Sequence, residues 1–169
     1  MMKSVLKLIT AAFLTLAPLS ASAQSNVAHI NVQQLISEMP EVIAAQNELA
    51  KLEKDYTTQI DNAFKEFQTK AQSYSADAAN QTDVTNQARQ KELESMQTNL
   101  QEFRDSAAQE LQKKQMDLMS PLLEKARDAI TKVGKEQGFN YVIDSSPNGG
   151  IILADGKDLL ADVKKELGF

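Results

Sequence analysis

The chain has 169 residues, of which 42% are apolar, 24% charged and 5% aromatic, with no cysteine and no tryptophan. This composition suits one soluble domain and excludes a disulfide scaffold or a disordered tail. The formal net charge of −5 disfavours nucleic acid as a partner, because affinity there comes largely from lysine and arginine displacing counterions around phosphates.

Lys3 and Lys7 precede an apolar run from Leu8 to Leu19, and Ala21-Ser22-Ala23 then supplies the small-x-small pattern that a signal peptidase accepts. Residues 1–23 are expected to be a cleavable signal peptide, with the mature protein starting near Gln24. The run is shorter than the ~18 to 20 apolar residues a span needs, and no cysteine follows it to carry a lipid. The expected product is a soluble exported protein of a bacterial periplasm. Without the two lysines of the signal segment, 16 basic and 23 acidic residues remain, a net of −7.

Val27 to Val32 alternates as a strand should, with Ala28, Ile30 and Val32 on one side. From Val42 the pattern changes. Val42, Ala45, Leu49, Leu52, Tyr56, Ile60, Ala63, Phe67, Ala71 and Tyr74 follow one another at three or four residues, which places them along one face of a helix. A helix from Glu41 to about Ser73 would reach on the order of 50 Å. A polar stretch from Ser75 to Ala88 follows, in which Thr82 or Asp83 can cap a returning helix. The return carries a second seam through Leu93, Met96, Leu100, Phe103, Ala107, Leu111, Leu118, Leu122, Ala126, Ile130 and Val133, with a lapse at Lys114 and Gln115. Two narrow seams joined by a polar turn predict an antiparallel helical hairpin, an arm over residues 40–138 with its tip near 75–88. Pro121 lies inside the return helix and predicts a kink or a break there.

Phe139 to Asp144 alternates as a second strand, and Ser145-Ser146-Pro147-Asn148-Gly149-Gly150 reads as a turn. Ile151-Ile152-Leu153 is then expected to form a third strand, in a hairpin with the second. Asp158 is placed to cap a terminal helix carrying Leu159, Leu160, Val163 and Leu167, with Gly168 as its stop. The whole is an α+β chain, mainly helical: a long hairpin on a small β-rich association body of residues 24–39 and 139–169. That body amounts to 47 residues, and domains near or below ~40 residues usually need disulfides, metals or oligomerisation. Without cysteine or a metal-ligand set, oligomerisation is expected, with strands from several copies pooling one core. Val27, Ile30, Val32, Tyr141, Ile143 and Ile152 are the candidate residues of that shared body.

Catalytic chemistry finds little to use. His29 is the single histidine, so neither a triad nor a metal set can be completed around it, and a structural role is expected. Met116-x-x-Met119 could hold Cu(I) through thioethers but is better read as packing or partner contact. Asn148-Gly149-Gly150 lies between predicted strands and so is no phosphate loop. The abundant carboxylates of the arm have the regular spacing of a solvated face. No enzyme activity, cofactor or metal is expected.

One resemblance covers nearly the whole mature chain. It rests on Asn31-Val32-Gln33 and Glu38-Met39-Pro40-Glu41, on Arg89-x-x-Glu92-Leu93-x-x-x-Gln97 with Leu100-Gln101-x-Phe103, on Pro121-x-x-x-Lys125, and on the run from Ala129 through Gly138-Phe139 to Asp144. In this order the pieces resemble the Skp or OmpH family of periplasmic chaperones that bind unfolded outer-membrane proteins. The resemblance implies a homotrimer with a shared β-barrel-like body, three arms projecting as tentacles, and a cavity that holds a client without ATP. A holdase needs many weak, adaptable apolar contacts, for which Phe64, Phe67, Met116 and Met119 are candidates. One departure is electrostatic. The best-known members carry strongly basic arms, whereas residues 41–133 here hold 12 basic and 16 acidic residues, so contact with lipopolysaccharide or a membrane surface is not carried over. The rival reading is a structural or adaptor coiled-coil protein of the cell envelope. The hairpins of efflux adaptors are flanked on both sides by sizeable β domains, but only 16 mature residues precede this arm.

Overall fold

The computed structural model describes residues 26–147 and 150–169. The expected signal peptide, residues 1–23, lies outside the described residues, as do Asn148 and Gly149 of the expected turn. In chain order the elements are strand β1 (Val27–Ile30), helix α1 (Val32–Glu38), helix α2 (Pro40–Asp77), a short 3-10 turn (Ala78–Asn80), helix α3 (Asp83–Glu136), strand β2 (Tyr141–Asp144), strand β3 (Lys157–Asp158) and helix α4 (Leu160–Leu167).

The hairpin forms as its two seams require. Pro40 occupies the first turn of α2, where its missing N–H costs nothing. At the far end Thr82 caps α3 by accepting from the Thr85 N–H at 3.2 Å. The non-helical link is shorter than the polar stretch implied, because α2 runs to Asp77 and α3 starts at Asp83. With 38 and 54 residues, the helices are about 57 and 80 Å long at ~1.5 Å per residue. Every residue of the two seams is buried or half-buried except Ala63, which is exposed. The burial is a ribbon: in α2 only Val42 and Ala45 are fully covered. Pro121 does not break α3, which is one helix from Asp83 to Glu136. A proline removes one backbone bond, and the helix is held near it by Met119 and Leu122, which pack on the buried core.

In the body, β1 is the central strand of a three-stranded sheet of order β2-β1-β3, and both neighbours run parallel to it. Val27 pairs with Tyr141 and Ile30 with Asp144, while Ala28 and His29 pair with Lys157 and Asp158. Parallel strands need a long crossover, and between β1 and β2 that crossover contains the entire arm. Gly138, at φ +77, turns the chain out of α3, with the Phe139 N–H donating to the Gly134 carbonyl at 2.9 Å.

Several expectations are corrected here. Val32 does not extend the first strand. It opens α1, because the Asn31 carboxamide accepts from the Gln34 N–H at 2.9 Å and so starts a helix. Ile151, Ile152 and Leu153 do not form the third strand, nor a hairpin on β2. The chain instead crosses to the opposite edge of β1, where Lys157–Asp158 pairs and the Leu159 N–H donates to the His29 carbonyl at 3.0 Å. Residues 145–156 are the connection, close to the dozen residues a parallel pair requires. Finally, the core is not confined to the small body. Ala28, Ile30, Leu35, Leu159 and Val163 pack with Val42, Ala126, Ala129 and Val133 from the base of the arm. A count of body residues alone therefore understates what one chain buries. The terminal helix forms one residue later than expected: Leu159 is its N-cap and not its first helical residue, although the Asp158 carboxylate accepts from the Leu160 N–H at 2.8 Å, and Gly168 ends it at φ +90 as expected.

Candidate functional site

The arm is tied along its length by pairs that join α2 to α3. From base to tip, Glu41 meets Lys125 at 2.6 Å, Glu48 meets Lys114 at 2.8 Å, the Tyr56 hydroxyl donates to Glu110 at 2.6 Å, and Asp77 meets Arg89 at 3.1 Å. From the first pair to the last, each helix advances by the same 36 residues, 41 to 77 and 125 to 89. The hairpin thus keeps one register over roughly 54 Å. Lys114, the lapse in the second seam, is where the pair with Glu48 forms. Near the tip Glu92 accepts from both Lys70 and the Tyr74 hydroxyl at 2.6 Å, and the Arg89 guanidinium lies over the Tyr74 ring at 4.7 Å. The hydrogen bond from Lys70, then that from Tyr74, holds the Glu92 carboxyl below its ordinary range. Arg89, then Asn80, does the same for Asp77. The same contacts with Glu92 push Lys70 and Tyr74 upward.

The candidate association residues fall into two groups. Ile30 is 1% exposed inside the chain's own core, and Val32 is half-buried at the start of α1. Val27, Tyr141 and Ile143 remain 37%, 62% and 38% exposed. The strand register places these three with His29 on the sheet face turned away from Ala28, Ile30 and the arm. His29 Nδ1 shares a hydrogen bond with the Ser145 hydroxyl at 3.2 Å. Ile152 is fully exposed, with Ile151 and Leu153 uncovered beside it. Exposed apolar side chains gathered on one sheet face, as Val27, Tyr141 and Ile143 are, mark a surface suited to a partner. A separate groove of about 640 Å³ lies on the arm side of β2, lined by Ile36, Ala126, Ile130, Phe139 and Val142.

The candidate client residues divide as well. Met119 is half-buried against the core, while Met116 is 61% exposed. Phe67 is half-buried in the seam and Phe64 is exposed beside it, with their rings stacked at 6.5 Å. Ile43 and Leu123, both exposed near the arm base, each sit one position off the seam, so the seam pattern does not point to them.

A family model described as "Outer membrane protein (OmpH-like)" matches residues 26–167. The chain belongs to the OmpH-like family. Among curated relatives of this OmpH-like chain, "Chaperone protein Skp" of Yersinia enterocolitica is 30% identical over 155 residues, covering 88% of this chain and 90% of that protein. The protein of the same name from Pectobacterium atrosepticum is 21% identical, covering 88% of each. A crystal structure of an OmpH-like protein from Caulobacter crescentus superposes with a TM-score of 0.76 at 13% identity, covering 86% of this chain and 85% of that one. This last likeness is one of fold. Among the described residues, no helix of the OmpH-like chain is long and apolar enough to cross a membrane.

Proposed function

We propose that this OmpH-like protein is a periplasmic holdase, exported by the signal peptide of residues 1–23, which captures unfolded outer-membrane proteins and keeps them from aggregating without ATP. The observation that carries the reading is the pairing of family membership with shape: a helical hairpin some 54 Å long that stands on a body with a bare apolar face. That face supports assembly of three copies into a shared barrel-like core through Val27, Tyr141, Ile143 and Ile152. Three arms would then enclose a cavity, and Phe64, Phe67 and Met116 would offer contacts weak enough to release a client to its own folding. Enclosure raises the effective concentration of each contact, so weak sites add up. Catalysis and cofactors have no part in this mechanism. The acidic arms, with 12 basic against 16 acidic residues in 41–133, argue against capture by lipopolysaccharide or a membrane surface.

The test is dilution of a urea-unfolded β-barrel protein into buffer with and without stoichiometric amounts of the mature chain. A holdase keeps the solution clear without nucleotide. Unchanged turbidity would return the protein to the class of envelope spacers.

A further inference from the structure

In the outer half of the arm the two phenylalanines form one wall of a cleft of about 450 Å³, with Gln97, Leu100, Gln101 and Arg104 of α3 opposite. Phe64 and Phe67 are one turn apart and stacked, their planes inclined by 21°. Leu100, only 9% exposed, forms the floor. Phe64 is 40% exposed, so its ring is open to a partner. Of the cleft's lining residues only Arg104 is charged, and among the described residues it makes no ion pair or hydrogen bond, unlike Lys70, Arg89 and Lys114. The Gln97 carboxamide is likewise free among the described residues, whereas that of Gln101 donates to Asp105 at 3.0 Å.

We propose that this cleft selects extended client segments in which an aromatic residue has an acidic one two positions away. This rests on the holdase reading and names what one part of the arm recognises. The Phe64 and Phe67 rings favour an aromatic guest over an aliphatic one of similar size, since offset or edge-on ring pairs contribute beyond area burial. A guanidinium beside the guest ring favours it again. In an extended strand residues i and i±2 point to the same side, about 7 Å apart, so an acid two positions from a ring seated against Phe64 and Phe67 faces the same cleft as Arg104. A lysine at that position would meet a like charge. The strands of outer-membrane barrels suit such a site, because they alternate apolar and polar residues and carry aromatic girdles.

The experiment uses the mature full-length protein and short dansylated peptides of otherwise identical alternating sequence, carrying Phe-x-Asp, Leu-x-Asp or Phe-x-Lys. The wild type should bind the first more tightly than either of the others by roughly three- to tenfold. Phe64→Ser should sharply reduce the preference for phenylalanine over leucine, and Phe64→Leu, which keeps an apolar side chain at that position, should reduce it to the same degree. Arg104→Gln should erase the preference for aspartate over lysine and weaken, without abolishing, that for phenylalanine over leucine. Val84→Ser, at an exposed position near the tip, should change neither. A wild type without these preferences, or preferences undiminished by Phe64→Leu and Arg104→Gln, would overturn the site. Suppression of barrel-protein aggregation, measured in parallel, separates the two ideas. If it is intact in a wild type without preference, the holdase reading stands and the cleft falls. If it is absent while the preferences are present, the reverse holds.

Discussion

Gly134 of α3 lies so close to Val142 of β2 that a Cβ added to the glycine would sit 2.8 Å from Val142 Cγ2. The base of the arm and the edge of the sheet therefore touch through a missing side chain. This contact is part of how the long hairpin is fixed to the body.

Gly134→Ala sets two effects against each other. Alanine is favoured over glycine within a helix by up to ~1 kcal/mol, but the overlap with valine, whose χ1 is stiff, costs more. A net loss of about 1 to 2 kcal/mol is expected, and Val142→Ala should recover part of it in the double variant. Urea titration of the four proteins in the cycle measures this. A plain gain in stability for the single variant would mean that helix and strand are not closely packed.

Lys114 interrupts the second seam and is held by Glu48. Partly exposed ion pairs contribute at most ~1 kcal/mol, while an apolar side chain facing α2 would extend the buried ribbon. Lys114→Leu should therefore leave the melting temperature unchanged or raise it, and Glu48→Gln should lower stability by less than ~1 kcal/mol. A large loss in either variant would show that the pair sets the helix register.

The arm tip should respond to pH at both ends of the scale. Glu92 and Asp77 have carboxyls lowered by their cationic partners, so their contribution is complete above the ordinary carboxylate range of ~4 and fades as pH falls through their lower folded values. Lys70 and Tyr74 are raised by hydrogen bonding to Glu92. Their contribution is complete below ~10 and is lost as pH climbs through the raised values. Helicity melts should show a plateau across neutral pH with a decline on each side. Glu92→Gln should flatten both declines, and a profile that does not change in that variant would contradict the tip network.

Ile152 is fully exposed and contributes nothing to the chain's own core, whereas Leu35 is fully buried within it. Ile152→Asp is expected to separate the copies while leaving far-ultraviolet circular dichroism close to native. Leu35→Ala should cost about 2 to 5 kcal/mol in any assembly state. Ile152→Asp protein of unchanged native mass would remove this segment from the interface.

The arm was legible because a 3.6-residue period over two long seams states a helical hairpin without reference to anything else, and the pair Thr82 and Asp83 marked the return, with Thr82 proving to be the cap. Shorter elements were less so. Val32 continues an alternating pattern, and only the Asn31 cap, with apolar Val32, Leu35, Ile36 and Met39 at helical spacing, reveals that a helix has begun. Ile151 to Leu153 has the composition of a strand, yet strand pairing depends on which edge the chain can reach. Gly156 approaches so near β1 that an added Cβ would lie 2.9 Å from the Val27 carbonyl, and no local pattern announces that. Phe67 was readable as a seam residue. Arg104 carries no such mark, because on a solvated face an arginine next to a cleft has the same sequence pattern as any other.

Native mass spectrometry of the mature protein, alone and after dilution of an unfolded barrel client into it, tests the account most directly. It should report three copies alone, and three copies with a client after mixing. Single chains at micromolar concentration, or an assembly that never gains a client, would contradict it.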